Sequence, residues 1–290
     1  MMKKIFMTCT AMTVLLAVAA GAQTADELQW EDVNVAYTYT APSEGKYKDD
    51  VDQSEVKLGS KVRVLNMDEA GFDLSVGVFG QVNYWSFDDS RLDDLDLYKV
   101  EIPVAAKFQA TDEIPVTATL RPGVHSDFDA LSGDDLWLSG SVVGEYLYQE
   151  DLTFVLGLGV GEDFGDVQAF PIVGARWQAT DAIMANLVFP RPKVTYTVSE
   201  DLKLFVAGEP TGGQWNVSHQ TRTDYDLEQE GYRVGLGGEY QVMDGGWLYA
   251  MAGHEGNRSL QIAVDDDTVL GAGGEDLDDA IFVQIGFRMN

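Results

Sequence analysis

Cysteine is almost missing: the 290 residues hold one, Cys9. It sits inside an apolar leader, too early and without the small-residue context of a lipid-attachment site. The exported chain would therefore carry no thiol, which excludes disulfides, thiolate metal sites and a cysteine nucleophile. Basic residues are scarce as well, 19 Lys and Arg against 48 Asp and Glu. That excludes nucleic acid as a partner, because phosphate contacts need clustered cations. After the leader no apolar run reaches the ~18 residues a membrane helix needs. Helical 3.6-residue spacing, fixed-period repeats and Pro-rich linkers are missing too, so a single domain is expected.

The leader itself has a defined grammar. Lys3 and Lys4 precede an apolar stretch from Val14 to Ala20, and Ala20-Gly21-Ala22 has the small-x-small pattern of a signal-peptidase site. Residues 1–22 read as a signal peptide and 23–290 as one exported domain. Removing the leader leaves 268 residues, with 17 cations against 48 anions. Only residues 23–31 precede the first expected strand, too few for an N-terminal plug.

What the chain does have is alternation. From Tyr98 the even positions read Tyr98, Val100, Ile102, Val104, Ala106, Phe108, and the odd ones Lys99, Glu101, Pro103, Ala105, Lys107, Gln109. Such a strand has one face for lipid and one for water. The pattern recurs at Phe72-Leu74-Val76-Val78, at Leu136-Leu138-Val142-Tyr146-Tyr148 and at Leu152-Phe154-Leu156-Leu158-Val160. It returns at Tyr232-Val234-Leu236-Tyr240-Val242 and finally at Ile281-Val283-Ile285-Phe287-Met289. Thirty glycines and 11% aromatics fit the same class.

Short acidic turns near 66–69, 111–113, 149–151, 180–181, 199–201 and 243–246 alternate with longer loops. The loops are expected at 42–54, 86–95, 126–135, 162–168, 211–229 and 257–278. Alternating short turns with long loops is the habit of an up-and-down transmembrane β-barrel, short at the periplasm and long outside. The fold expected is all-β and antiparallel. Fourteen strands are counted if residues 183–198 form a stunted hairpin around Pro190-Arg191-Pro192, and twelve if that hairpin does not span. With strands roughly 4.8 Å apart and tilted about 40°, the barrel would be roughly 24–28 Å across.

Eleven of the 17 exported basic residues fall on the face opposite the apolar one: Lys57, Lys61, Arg63, Lys99, Lys107, Arg121, Arg176, Lys193, Lys203, Arg233 and Arg288. A cation at the lipid midplane costs about 2–4 kcal/mol, so their shared phase marks the lumen. Glu55, Asp73, Glu101, Glu145, Glu209 and Glu239 share that face, leaving an excess of five cations by this count. Loops hold most of the acid: Asp88, Asp89, Asp93, Asp94; Asp127, Asp129, Asp134, Asp135; Asp265, Asp266, Asp267, Glu275, Asp276, Asp278. Two readings stay open. Either a basic constriction lies behind an acidic mouth, or opposite charges pair across the lumen and brace the wall.

No catalytic residue, cofactor or metal site is assigned. Ser218-His219 and His254-Glu255 with Ser259 supply the residue types of a rim hydrolase, though rims are rich in such residues. His125, His219 and His254 are too widely separated to form a metal site by spacing, and no acidic run has a calcium loop's turn glycine. Gly157-Leu158-Gly159-Val160-Gly161 and Gly235-Leu236-Gly237-Gly238 fail the dinucleotide pattern, which needs a following helix. They read as room for inward neighbours.

Two stretches carry a resemblance. Gln284-Ile285-Gly286-Phe287-Arg288-Met289 resembles the C-terminal assembly signal of outer-membrane barrels, with Gln284, Gly286, Phe287 and Met289 as its elements and Asn290 in place of a terminal aromatic. Residues 186–196, with Pro190-Arg191-Pro192, followed by 204–209 and Gly212-Gly213-Gln214-Trp215, resemble an uncharacterised family of outer-membrane β-barrels with a domain of unknown function. The resemblance implies the barrel class and no catalytic residue.

The leading expectation is a passive outer-membrane channel or transporter for small solutes, in a Gram-negative-type bacterium. Its partners would be membrane lipid, lipopolysaccharide, the barrel-assembly machinery and a small solute; the oligomeric state stays open. The alternatives are a closed structural or adhesive barrel, and a lipid-acting rim hydrolase using His219 or His254.

Overall fold

A strand that is apolar at every second position has one face to bury and a row of backbone groups on each edge to satisfy. Closing the sheet on itself satisfies both edges. The computed structural model describes residues 29–44, 50–67, 71–87, 94–218, 225–264, 267–268 and 275–289. The leader, His219, Asn290 and the loop acids Asp88, Asp89, Asp93, Asp265 and Asp266 lie outside those residues.

Eighteen strand segments run in order: β1 (Gln29–Glu44), β2 (Asp50–Met67), β3 (Phe72–Phe87), β4 (Leu95–Glu101), β5 (Val104–Thr111), β6 (Ile114–Ser126), β7 (Leu136–Gln149), β8 (Leu152–Gly161) and β9 (Gln168–Thr180). Then come β10 (Ile183–Phe189), β11 (Lys193–Thr197), β12 (Leu202–Pro210), β13 (Gly213–Val217), β14 (Tyr225–Met243), β15 (Gly246–Val264), β16 (Asp267–Thr268), β17 (Glu275–Leu277) and β18 (Ala280–Met289). Three wall strands are interrupted. β4 and β5 form one, broken at Ile102-Pro103; β12 and β13 form another; β16, β17 and β18 together form the last. The wall is thus a 14-strand antiparallel barrel, closed where β1 pairs with β18 over Val33↔Met289 to Thr40↔Phe282. The Pro190–Pro192 hairpin is present as β10 and β11, paired over Ile183↔Tyr196 to Asn186↔Lys193.

The apolar phase faces outward. Ile102, Leu138, Leu156, Leu236, Ile281 and Ile285 all keep more than half their surface exposed. Their odd-numbered or even-numbered neighbours, such as Glu101, Ser139, Val155 and Phe282, turn inward and are buried. A belt of aliphatic side chains around a closed wall is what lipid solvates and water does not. No helix occurs among the described residues.

Three expected loops are largely strand, residues 42–54 holding the end of β1 and the start of β2. Residues 211–229 contain β13 and the first part of β14, and residues 257–278 contain the end of β15 and β17. The reason is an apolar core inside the long-loop end of the barrel, built from Val51, Trp85, Leu97, Trp215, Val217, Leu227, Leu260 and Leu277. Burying these side chains favours continued pairing beyond the lipid belt. The wall also narrows there. β13 pairs with β14 and touches β6 through a parallel bridge, Asn216 to Ser126, bypassing β7 to β12. Ser218 strengthens the bridge, its N–H donating to Asp127 Oδ2 at 3.1 Å and its hydroxyl to Ala130 O at 3.2 Å.

Candidate functional site

Below the apolar core the lumen changes character within one or two residues of each strand. The inward positions that follow are Thr38 and Thr40 on β1, Gln53 and Glu55 on β2, Gln81 and Asn83 on β3, and Lys99 and Glu101 on β4. β14 supplies Gln229 and Arg233, and β15 supplies Glu255 and Arg258. All are buried, so their polar atoms need partners inside the barrel. Gln53 and Gln229 exchange amide hydrogen bonds across the lumen, at 3.2 and 3.3 Å.

Arg233 is the hub. Nη2 donates to Glu255 Oε2 at 3.1 Å, while Nη1 lies 3.3 Å from Glu55 and 3.6 Å from Glu209 and donates to Thr38 Oγ1 at 3.4 Å. Glu255 also accepts from Thr211 and Thr40, at 3.0 and 3.4 Å. A charge removed from water is tolerated only with such a shell.

A second cluster lies where β4, β6 and the loop after β8 meet. Lys99 Nζ is 3.3 Å from Glu162 Oε1 and 4.7 Å from the Trp215 ring centre. His125 lies 3.2 Å from Glu101 through Nε2 and 3.7 Å from Glu162 through Nδ1. Burial in the loop pushes the Glu162 carboxyl up, but Lys99 and His125 beside it outweigh that and hold it below the usual carboxylate range. Asp163 is also held low, burial being outweighed by Arg191 and Arg121. At the rim, burial and the neighbouring Asp129 and Asp135 raise the Asp127 carboxyl.

The other sequence-predicted cations have definite places. Lys57 pairs with Glu55 at 3.0 Å, Arg121 with Asp163 at 3.6 Å and Arg176 with Glu145 at 2.7 Å. Lys193 and Arg288 both bind Glu239. Lys203 sits 4.1 Å over the Trp247 ring. Lys61, Arg63 and Lys107 occupy the same strand phase at the short-turn end, Lys107 opposite Asp73 in register. At least seven of the eleven therefore have a carboxylate within 4 Å.

Beneath the Arg233 layer a cavity of about 590 Å³ opens. Arg191, Lys193 and Arg288 line it together with Asp32, Glu209 and Glu239, the Lys193 and Arg288 charges resting on Glu239, and Phe205, Tyr249 and Met251 complete the wall. Arg191 was not in the sequence-derived set because it lies in the hairpin turn, outside the strand phase. Asp163 and Glu162 escaped notice for the same reason. Arg258 falls within the long-loop reading of 257–278, and Glu255, considered only as a rim-hydrolase residue, instead pairs inward with Arg233.

Of the rim-hydrolase candidates, Ser218-His219 includes His219, outside the described residues, and the residues around His254 point apart. His254 is exposed and faces Asp279 at 3.8 Å, while its neighbour Glu255 points inward to Arg233. Of the terminal strand, Gln284 faces inward to Thr38 at 3.1 Å, and Gly286 packs beside Tyr249. Phe287 and Met289 stand opposite Val35 and Val33 at the closing seam.

The closed wall and the Pro190–Pro192 hairpin coincide with a family match over residues 22–290. The chain belongs to the family described as a domain of unknown function, DUF6268. No curated relative matches it in sequence. Among solved structures it is similar to an outer-membrane channel from Pseudomonas putida F1, at TM-score 0.47 and 11% identity, covering 89% of this chain and 94% of that one. It is also similar to the NanC porin, at TM-score 0.37 and 10% identity, covering 89% and 99%. Outer membrane phospholipase A from Escherichia coli follows at TM-score 0.39 and 10% identity, covering 92% and 93%. These neighbours are outer-membrane β-barrels.

Proposed function

We propose that this DUF6268 protein is a passive outer-membrane channel for small polar solutes, closed at its outer end in the conformation described. The observation that carries this reading is the cavity of about 590 Å³ lined by three cations and three anions. A barrel with a purely structural role has no need of a polar hollow in its lumen. The balanced lining supports passage of zwitterions or small ions of either sign, with weaker anion preference than an excess of five cations implies. Acidic residues such as Asp127, Asp129 and Asp134 stand at the mouth, where they favour the approach of cationic or zwitterionic groups. The apolar belt supports a place in lipid, and the leader supports export to the outer membrane.

A second reading has its own support. The apolar core and the Arg233 layer fill the lumen's outer part, which is what a permanently closed structural barrel would also contain.

Bilayer conductance separates the two. The folded mature chain is expected to show rare, brief openings. A variant with Trp215, Leu227 and Leu260 each replaced by Ser is expected to conduct steadily. Silence from that variant, shown to be folded by heat-modifiable gel migration, would establish the closed-barrel reading instead.

A further inference from the structure

The cluster at Glu101, His125 and Glu162 has chemistry that neither conduction nor bracing requires. Each residue offers one ligand atom, and the three atoms lie within 4.8 Å of one another. All three side chains are buried, and His125 has no exposed surface. Its ring is fixed by stacking on Trp137, centroids 5.4 Å apart and planes 9° from parallel. Yet Nδ1, buried and 3.7 Å from Glu162 Oε1, has no hydrogen-bond partner. An orphaned ring nitrogen aimed at a carboxylate is a costly arrangement unless something stands between them.

We propose that Glu101, His125 and Glu162 bind one divalent transition-metal ion of the zinc type. One imidazole nitrogen and two carboxylate oxygens make a borderline donor set, suited to zinc; calcium and magnesium prefer all-oxygen shells. Ligands roughly 2.0–2.2 Å from a tetrahedral ion lie about 3.3–3.6 Å apart. The unpartnered Nδ1 lies 3.7 Å from Glu162 Oε1, close to that spacing, and one ligand atom from each of the three residues falls within 4.8 Å of the others. The ring's other nitrogen keeps its N–H, as metal-bound imidazoles do.

Lys99 occupies the same corner, 3.3 Å from Glu162. It neutralises the site in the absence of metal and competes with the ion. Its ammonium has an alternative resting place over the Trp215 ring, already 4.7 Å away. The ion would tie the loop after β8 to β4 and β6, immediately beneath the outer apolar core. Zinc would then hold the outer end of the lumen together, independently of whether the barrel conducts.

The test is zinc titration of the refolded mature chain after chelation, by calorimetry, with magnesium and calcium in parallel. One equivalent of zinc is expected to bind, at least tenfold more weakly in His125→Gln and in Glu162→Gln, and more tightly in Lys99→Met. Cobalt in place of zinc should give visible absorption that His125→Gln removes. Two results would overturn the proposal: no zinc uptake by folded protein, or uptake unchanged in both variants. The second would assign the binding to the acidic outer loops. Heat-modifiable migration of each variant establishes that it is folded.

Discussion

Arg233 and Glu255 stand directly opposite each other on β14 and β15 and meet at 3.1 Å, with side-chain exposures of 1% and 0%. The same guanidinium reaches Glu55 on the far wall at 3.3 Å. One cation thus joins two non-adjacent parts of the barrel. Breaking a buried pair by removing one member leaves the other charge uncompensated, at about 3–5 kcal/mol. Arg233→Met should lower folded stability by about that amount in urea unfolding from detergent micelles. Adding Glu55→Gln and Glu255→Gln to the same chain should recover a large part of it. An Arg233→Met midpoint equal to wild type would show that the layer contributes no stability.

The facing of the wall is tested on one interrupted strand. Ile102 is half-exposed on the outer face, while Lys107 shares the phase of Lys99 and Glu101 and stands opposite Asp73. A cation on the lipid side costs about 2–4 kcal/mol at the midplane. Ile102→Lys should therefore reduce the yield of refolding into bilayers severely, and Lys107→Val should leave it near wild type. Equal tolerance would remove the assignment of the two faces.

The barrel class was legible because lipid imposes a strict period. Tyr98 to Phe108 reads as two faces without any tertiary knowledge, and the same alternation places Phe72, Leu156 and Ile285 outside. The low hairpin at Pro190–Pro192 followed from turn spacing alone. The outer core was illegible because Trp215, Leu227 and Leu260 lie among acids and glycines in stretches that resemble loops. The Glu101–His125–Glu162 cluster was illegible for a topological reason. His125 stands opposite Lys99 only through the β4–β6 register, and Glu162 arrives from a loop beyond two further strands. Charge pairing was half legible: the phase of Lys193, Arg233 and Arg288 was visible, but the Glu239 partner of Lys193 and Arg288 and the Glu55 partner of Arg233 lie on strands that do not neighbour theirs.

Close packing of glycine against an aromatic ring gives a sharper test of the interior. Gly159 on β8 stands opposite Phe170 on β9, and a Cβ at Gly159 would run into the Phe170 ring. Overpacking of this kind costs about 1–3 kcal/mol. Gly159→Ala should destabilise the barrel by that amount, and Phe170→Leu in the same chain should relieve part of the loss. A double-mutant cycle in urea reads the coupling directly. Additive losses would mean that the ring does not occupy the space above the glycine.

The closing seam ties assembly to the last residues of the chain. Met289, Arg288 and Phe287 pair with Val33, Asn34 and Val35, and Arg288 also reaches Glu239 at 2.7 Å. Deleting residues 287–290 removes three register positions from β1 and frees that edge, which an unclosed barrel in lipid cannot satisfy. Assembly in cells should fall severalfold, read as heat-modifiable barrel in the outer-membrane fraction. Arg288→Ala separates the two contributions, because it keeps the backbone seam and removes the ion pair. If recognition and seam closure dominate, Arg288→Ala assembles near wild-type levels while the truncation does not. If both fall equally, the Glu239 contact, and not the strand end, is what the barrel depends on.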